Sequence, residues 1–228
     1  MVKENYLKIK EKIEKVCLKI GRNPEEIKIL GASKAQPVEK IKEAFEAGIK
    51  LFGENYVQEA EKKIKELQTY PIEWHFIGRL QTNKVKKALN LFSVIESLDR
   101  LELAYEIQKQ AEKLKKEVLV FIEINVGKEE SKAGVFPEDL EKFIEEVLKL
   151  EKIKIKGFMS LPPYKREVEE VRPYFKKVKE LFERFKPFLG EDFRELSMGT
   201  SLDYSVAIEE GATLIRIGEA LFGKRSYL

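Results

Sequence analysis

The sequence predicts a (β/α)8 barrel, and three observations point there. Short apolar runs alternate with amphipathic stretches from end to end, with eight strand-like runs in series. No linker, low-complexity tract or composition break interrupts the series, so residues 1–228 read as one domain. Polar and glycine-rich residues gather behind the apolar runs, at positions that a barrel would place on one rim.

The elements follow in order. Residues 3–20 read as a helix extra to the repeats, because Tyr6, Ile9, Ile13, Val16 and Ile20 recur at steps of three and four. Asn23-Pro24-Glu25-Glu26 supplies a cap, a proline at the first helical position and acidic residues in the first turn. Residues 27–33 are the first strand. A helix with Pro37 near its start runs to Ala47, and Gly48 stops it. Residues 49–52 are the second strand, and Val57, Ala60, Ile64 and Leu67 mark the helix after it. The third strand spans 73–77, a helix lies near 82–89, and the fourth strand spans 91–95. Leu101, Ala104, Ile107, Ala111 and Leu114 mark a long helix before the fifth strand, 118–125. Pro137 opens a helix carrying Leu140, Phe143, Ile144, Val147 and Leu148. Then come the sixth strand, 153–159, a long helix over 166–186, a short seventh strand, 195–198, a helix near 203–209 ended by Gly211, the eighth strand, 213–217, and a short helix from 219 to 222.

Strands separated by helices must pair in parallel, because each needs a crossover to reach its neighbour. Right-handed crossovers over eight strands close into a barrel. The alternative is an open doubly wound sheet. The first strand is followed by no Gly-x-Gly-x-x-Gly, which weakens the dinucleotide-binding version of it.

Composition excludes several functions. Lys plus Arg number 43 against 40 Asp plus Glu, which gives no electrostatic case for nucleic acid or an anionic membrane. One cysteine, Cys17, rules out an internal disulfide framework and falls on the apolar stripe of the first helix. The start carries no apolar leader, and no run of about 18 apolar residues occurs, so a soluble cytoplasmic protein is expected. Charged residues make up 36% of the chain, many at i,i+4 spacing, as on a solvated helix surface.

Barrel chemistry happens at the C-terminal ends of strands. Ser33-Lys34 ends the first, Gly53-Glu54-Asn55-Tyr56 the second, and His75-Phe76-Ile77-Gly78 the third. Asn125 ends the fifth, Met159-Ser160 the sixth, Ser197-Met198-Gly199-Thr200-Ser201 the seventh, and Arg216-Ile217-Gly218 the eighth. A lysine at the mouth of a packed barrel is partly desolvated, which favours the neutral, nucleophilic amine. Position alone leaves Lys34 equally open to snorkelling into solvent. Arg216 alternates with Ile215 and Ile217, so it projects inward among apolar side chains and needs an acceptor, either a protein carboxylate or a ligand atom. The loops after strands seven and eight, with Ser201, Gly218 and Glu219 at a helix start, suit a phosphate. A nucleophilic lysine, a phosphate cradle and a cationic anchor together suggest a phosphorylated aldehyde held as a Schiff base. Pyridoxal 5′-phosphate (PLP) is the cofactor that fits.

Five segments then carry a resemblance across nearly the whole chain. They are Gly31-Ala32-Ser33-Lys34, the run from Phe52 to Glu59, the run from Trp74 to Lys84, Leu196-Ser197-Met198-Gly199-x-Ser201, and the run from Arg216 to Gly223. Together they resemble the pyridoxal phosphate homeostasis protein family. The resemblance implies a fold like the N-terminal barrel domain of alanine racemase and a PLP-linked Lys34. It implies that Arg216 faces the pyridine nitrogen and keeps it unprotonated, which weakens the electron sink most PLP chemistry needs. Ser201, Gly218 and the backbone of Glu219 match phosphate-binding positions, Asn55 matches a residue beside the ring, and His75 and Met198 match pocket lining. Lys132, in Glu130-Ser131-Lys132-Ala133-Gly134, matches a second lysine implicated in moving PLP on and off, while a solvated loop lysine is an equal reading.

Two functional classes follow. A PLP carrier would hold the cofactor, shield its aldehyde, and supply apoenzymes or exchange with amino acids. A PLP enzyme such as a racemase would need an acid/base on each face of the ring, and in alanine racemases the second is a tyrosine from a C-terminal β-domain. The sequence stops ten residues past Gly218, so the expectation is a carrier without strong catalytic activity, and a monomer. A lysine aldolase on the same fold would need a nearby acid/base pair, which the sequence does not place.

Overall fold

The structure, a computed structural model, describes residues 1–224. Eight parallel strands close into a barrel in sequence order, β1 pairing with both β2 and β8. They are β1 (Lys28–Ala32), β2 (Leu51–Glu54), β3 (Glu73–Phe76), β4 (Val94–Leu98), β5 (Val118–Ile124), β6 (Ile153–Ser160), β7 (Glu195–Ser197) and β8 (Leu214–Ile217). Helices fill the crossovers: α2 (Val38–Ala47), α3 (Val57–Glu66), α4 (Val85–Leu91), α5 (Leu101–Leu114), α6 (Leu140–Leu148), α7 (Arg172–Leu189) and α8 (Tyr204–Glu209). The extra helix α1 (Val2–Ile20) packs against α2, α8 and the terminal α9 (Glu219–Phe222), with Asn5 Nδ2 donating to Leu221 O at 3.0 Å.

Alternation along each strand divides the apolar residues into two layers. One side, with Phe52, Phe76, Ile95, Val120, Ile122, Phe158, Ile215 and Ile217, packs under the helices. The other, with Leu30, Val94, Phe121, Met159 and Leu214, makes a small plug inside the barrel. That plug occupies only part of the interior; above and below it the inward positions are charged or polar.

Several expected boundaries move for physical reasons. The second strand is displaced to Leu51–Glu54 and the fourth to Val94–Leu98, because each carries a buried carboxylate, Glu54 or Glu96, that finds partners on other elements. Leu91, expected in a strand, ends α4. That helix begins at Val85 after a 3₁₀ turn over Thr82–Lys84. Pro137 lies in a turn closed by Asp139 N donating to Phe136 O, so α6 starts three residues later. The long helix expected from 166 begins at Arg172, behind a 3₁₀ turn over Val168–Val171.

Candidate functional site

Lys34 follows β1 on the C-terminal rim, half-buried, with Nζ 4.9 Å above the Tyr56 ring. Its two neighbours are held by a buried ionic cluster. Ser33 Oγ donates to Glu54 Oε1 at 2.5 Å, and Lys63 Nζ donates to Ser33 O at 2.7 Å, to Glu54 Oε1 at 2.8 Å and to Glu59 Oε1 at 2.6 Å. On the other side of Lys34, Ala35 N donates to Glu59 Oε1 at 2.7 Å. Ala35 has φ +57°, a left-handed conformation that costs an alanine roughly 1–2 kcal/mol. The Glu59 carboxylate therefore holds a strained turn directly behind the candidate nucleophile. Burial pushes the Glu54 carboxyl upward, and the Lys63 ammonium opposes that push.

Arg216 points into the barrel and is 4% exposed. Nη1 donates to Ser197 Oγ at 2.6 Å and Nη2 to Ser160 O at 2.9 Å. Burial draws its pKa below the ordinary value, while Glu96, Glu123 and Asp203 pull the other way. The acceptor expected for it is thus a hydroxyl and a backbone carbonyl, with the carboxylates set further back.

The phosphate-type loops converge as expected. Ser201 Oγ accepts from Gly218 N at 3.2 Å and from Ala220 N at 3.0 Å, tying the loop after β7 to the start of α9. Gly199 turns with φ +95°, and a Cβ there would meet Ala207 Cβ at 2.6 Å, so the close approach of this loop to α8 requires glycine. Glu219 is exposed, and only its backbone faces this junction. Asn55 follows β2 half-buried, with its backbone packed so closely on Gly78 that a Cβ on Gly78 would lie 2.3 Å from Asn55 O.

Two expected pocket residues are elsewhere. His75 is not on the rim: it faces the barrel interior and lines a cavity of about 530 Å³ at the N-terminal end, closed on one side by α1. Its ring lies between Glu96 Oε1, 2.6 Å from Nδ1, and Glu73 Oε1, 3.1 Å from Nε2. Burial lowers its pKa, but hydrogen bonds to both carboxylates override this and raise it to about 9. Met198 is fully buried in the outer core under the helices, because it alternates with Ser197, whose side chain points into the barrel. Lys132 lies on an exposed loop, paired with Glu129 at 2.6 Å. Asn125 organises that loop, donating to Glu129 O at 2.8 Å and accepting from Glu129 N at 3.1 Å.

The profile of the alanine racemase N-terminal domain matches residues 7–226. A pyridoxal phosphate homeostasis protein of Aquifex aeolicus is 49% identical over 224 residues, 98% of either chain. The chain belongs to the pyridoxal phosphate homeostasis protein family. A member from Haemophilus influenzae is 38% identical over 229 residues, 99% of this chain and 97% of that one. PipY of Synechococcus elongatus PCC7942, solved with PLP bound, superposes with a TM-score of 0.84 at 32% identity, covering 98% of this chain and 100% of that one. Alanine racemase of Clostridium difficile 630 shares the fold at 18% identity and a TM-score of 0.77, the barrel covering 60% of its length.

Three residues of this family member's interior went unrecognised in the sequence, Glu96, Lys63 and Glu123, and Ser197 was read only as part of a strand end and a motif. Ser197 Oγ bonds Glu96 Oε2 at 2.6 Å, so a continuous chain runs Glu73–His75–Glu96–Ser197–Arg216 through the barrel. Glu123 is inward on β5, with burial and Asp99 raising its pKa to about 7 against the pull of Arg216 and Arg79. Strict inward alternation along β5 from Phe121 to Glu123 was the one available signal. No helix among the described residues is long and apolar enough to cross a membrane.

Proposed function

We propose that this protein binds PLP at the C-terminal mouth of its barrel and serves intracellular PLP homeostasis, holding the cofactor and supplying or buffering it. The reading treats residues 1–228 as one PLP-binding barrel domain. The observation that carries it is the pairing, on one rim, of a lysine fixed at both flanks with a loop junction rich in N–H donors. The donor set fits a phosphorylated ring aldehyde. Gly218 N and Ala220 N both donate to the Ser201 oxygen where α9 starts, which leaves the Ser201 hydroxyl hydrogen as a donor for a phosphate. The backbone N–H of Glu219 has no acceptor among the described residues. Arg216, always charged and held by Ser197 and Ser160, would face the ring nitrogen, and Asn55 would lie beside the ring. When bound, PLP would supply a reactive aldehyde, and Lys34 is the residue that would hold it covalently. PipY, a relative solved with PLP bound, supports PLP as the cofactor.

The carrier reading includes an absence of strong catalysis, exchange with amino acids, transient contact with apo-PLP enzymes, a cytoplasmic location and a monomeric state. Lys132 remains the proposed second lysine for cofactor movement; its exposed loop position is compatible with a transient contact. Reduction of the PLP-loaded protein with borohydride, followed by peptide mass analysis, should place the adduct on Lys34. An adduct confined to another lysine overturns the assignment. Incubation with an apo-PLP enzyme should restore that enzyme's activity. Racemisation of an amino acid at about 1 per second or faster would instead make the protein an enzyme.

A further inference from the structure

A second cavity, of about 590 Å³, opens on the C-terminal face between the loops after β2, β3 and β4. Three cations line it, Arg79, Lys84 and Arg100, and no carboxylate does. The cavity at the opposite end of the barrel differs: five carboxylates there match five lysines or arginines, and pairs such as Lys156–Asp192 at 2.9 Å form across its wall. Arg100 is fixed in place, Nη2 donating to Leu80 O at 2.9 Å and Nη1 to Asp99 Oδ1 at 2.6 Å. Arg79 and Lys84 have no ion pair among the described residues. Asp99 is paired with Arg100, Glu102 approaches Arg100 at 3.9 Å, and the Glu123 carboxyl feels Arg79 from inside the barrel.

We infer that this cavity is a second, non-covalent site for a small organic phosphate. Unneutralised cations in a concave wall concentrate anions. A phosphate monoester carries between about 1.5 and 2 negative charges at neutral pH, so it matches two free cations better than a single carboxylate does. The volume lies within the range of small-molecule sites, far beyond the needs of a lone ion. The remaining wall suits a flat organic body: Phe76 and Leu80 are apolar, Gln81 and Thr82 offer hydrogen bonds, Tyr56 presents its ring, and Asn55 forms a wall shared with the covalent site. Tyr56 also lies under Lys34 Nζ, so a molecule held here waits one side chain away from that amine. The site thus stages a phosphorylated ligand beside the covalent position. This role rests on the cofactor reading above, whereas the anion preference stands on the cavity alone.

The test begins with protein loaded with PLP and reduced by borohydride, which fills the Lys34 site permanently. Calorimetric titration with pyridoxine 5′-phosphate, which lacks the aldehyde, should then show one further binding equivalent, displaced by excess inorganic phosphate. The Arg79→Gln/Lys84→Gln protein should bind that equivalent about tenfold more weakly or worse, with unchanged loading at Lys34. No uptake by the reduced wild-type protein, or equal affinity in the double variant, overturns the inference. If reduction links nothing to Lys34, the cofactor reading fails separately. The Lys34→Ala protein titrated with inorganic phosphate still decides the site, since the double substitution should remove one binding equivalent, and no change would refute it.

Discussion

Glu96 and Arg216, on β4 and β8, are joined through a single hydroxyl: Ser197 Oγ donates to Glu96 Oε2 at 2.6 Å and accepts from Arg216 Nη1 at 2.6 Å. All three side chains are buried. Ser197→Ala therefore removes one partner from each of two buried charged groups, leaving Glu96 with His75 and Arg216 with the Ser160 carbonyl. Leaving a buried polar group unpaired costs about 1–3 kcal/mol, more for charged groups. For a chain of this size each kcal/mol lowers Tm by about 2–4 °C. The variant should melt several degrees lower, while Ser205→Ala, where the hydroxyl is buried without a partner, should melt as the wild type does. Equal melting of Ser197→Ala and the wild type would show that the bridge contributes nothing.

Lys63 gives a second prediction. Its ammonium satisfies Glu54, Glu59 and the Ser33 carbonyl, and Glu54 is fully buried. Lys63→Met leaves the Glu54 carboxylate with the Ser33 hydroxyl as its remaining partner, and breaking a buried pair from one side costs about 3–5 kcal/mol. Adding Glu54→Gln should recover part of that loss, because a neutral amide is cheaper to bury than an unpaired charge. Urea denaturation measures both. The same single variant should speed hydrogen exchange at the Ala35 amide, since Glu59 loses the ammonium that holds it against the Lys34 turn. Additive effects of the two substitutions would argue that Lys63 and Glu54 act independently.

The barrel was legible because its signals are local: eight apolar runs, each bounded by glycine, proline or a polar turn, need no knowledge of partners. Lys34, Ser201 and Gly218 were legible for the same reason, since a strand end places them on the rim whatever lies opposite. Glu96 was not. A carboxylate in a strand reads as a boundary until the strands that answer it, β3 with His75 and β7 with Ser197, are known to be its neighbours across the interior. That error moved the whole fourth strand by three residues toward the N-terminus. His75 failed in a related way. The motif around it points to the rim, but in the register Gly53↔His75 it stands below the strand end, facing Glu96. Lys63 looked like one more surface lysine on a charged helix, because the carboxylate it reaches lies nine residues back, on β2.

The two shifted groups inside the barrel predict how stability varies with pH. Glu123 titrates near 7 in the fold against 4.5 ordinarily, and His75 near 9 against 6.5. Both folded values are raised, so the folded state holds each proton more tightly than the unfolded chain does. The Glu123 contribution is therefore complete below about pH 4.5 and is lost as pH rises through 7. The His75 contribution is complete below about pH 6.5 and is lost as pH rises through 9. Each is on the order of 3–4 kcal/mol. The groups facing Glu123 are Asp99, Arg216 and Arg79, and neither arginine titrates in this range. Glu123→Gln should accordingly flatten the decline between pH 4.5 and 7 and leave the decline between 6.5 and 9 intact. Chemical denaturation at pH 5, 7 and 9 of both proteins makes the comparison. A variant that tracks the wild type across the lower interval would mean that the Glu123 carboxyl is solvated in the fold, with an ordinary affinity for its proton.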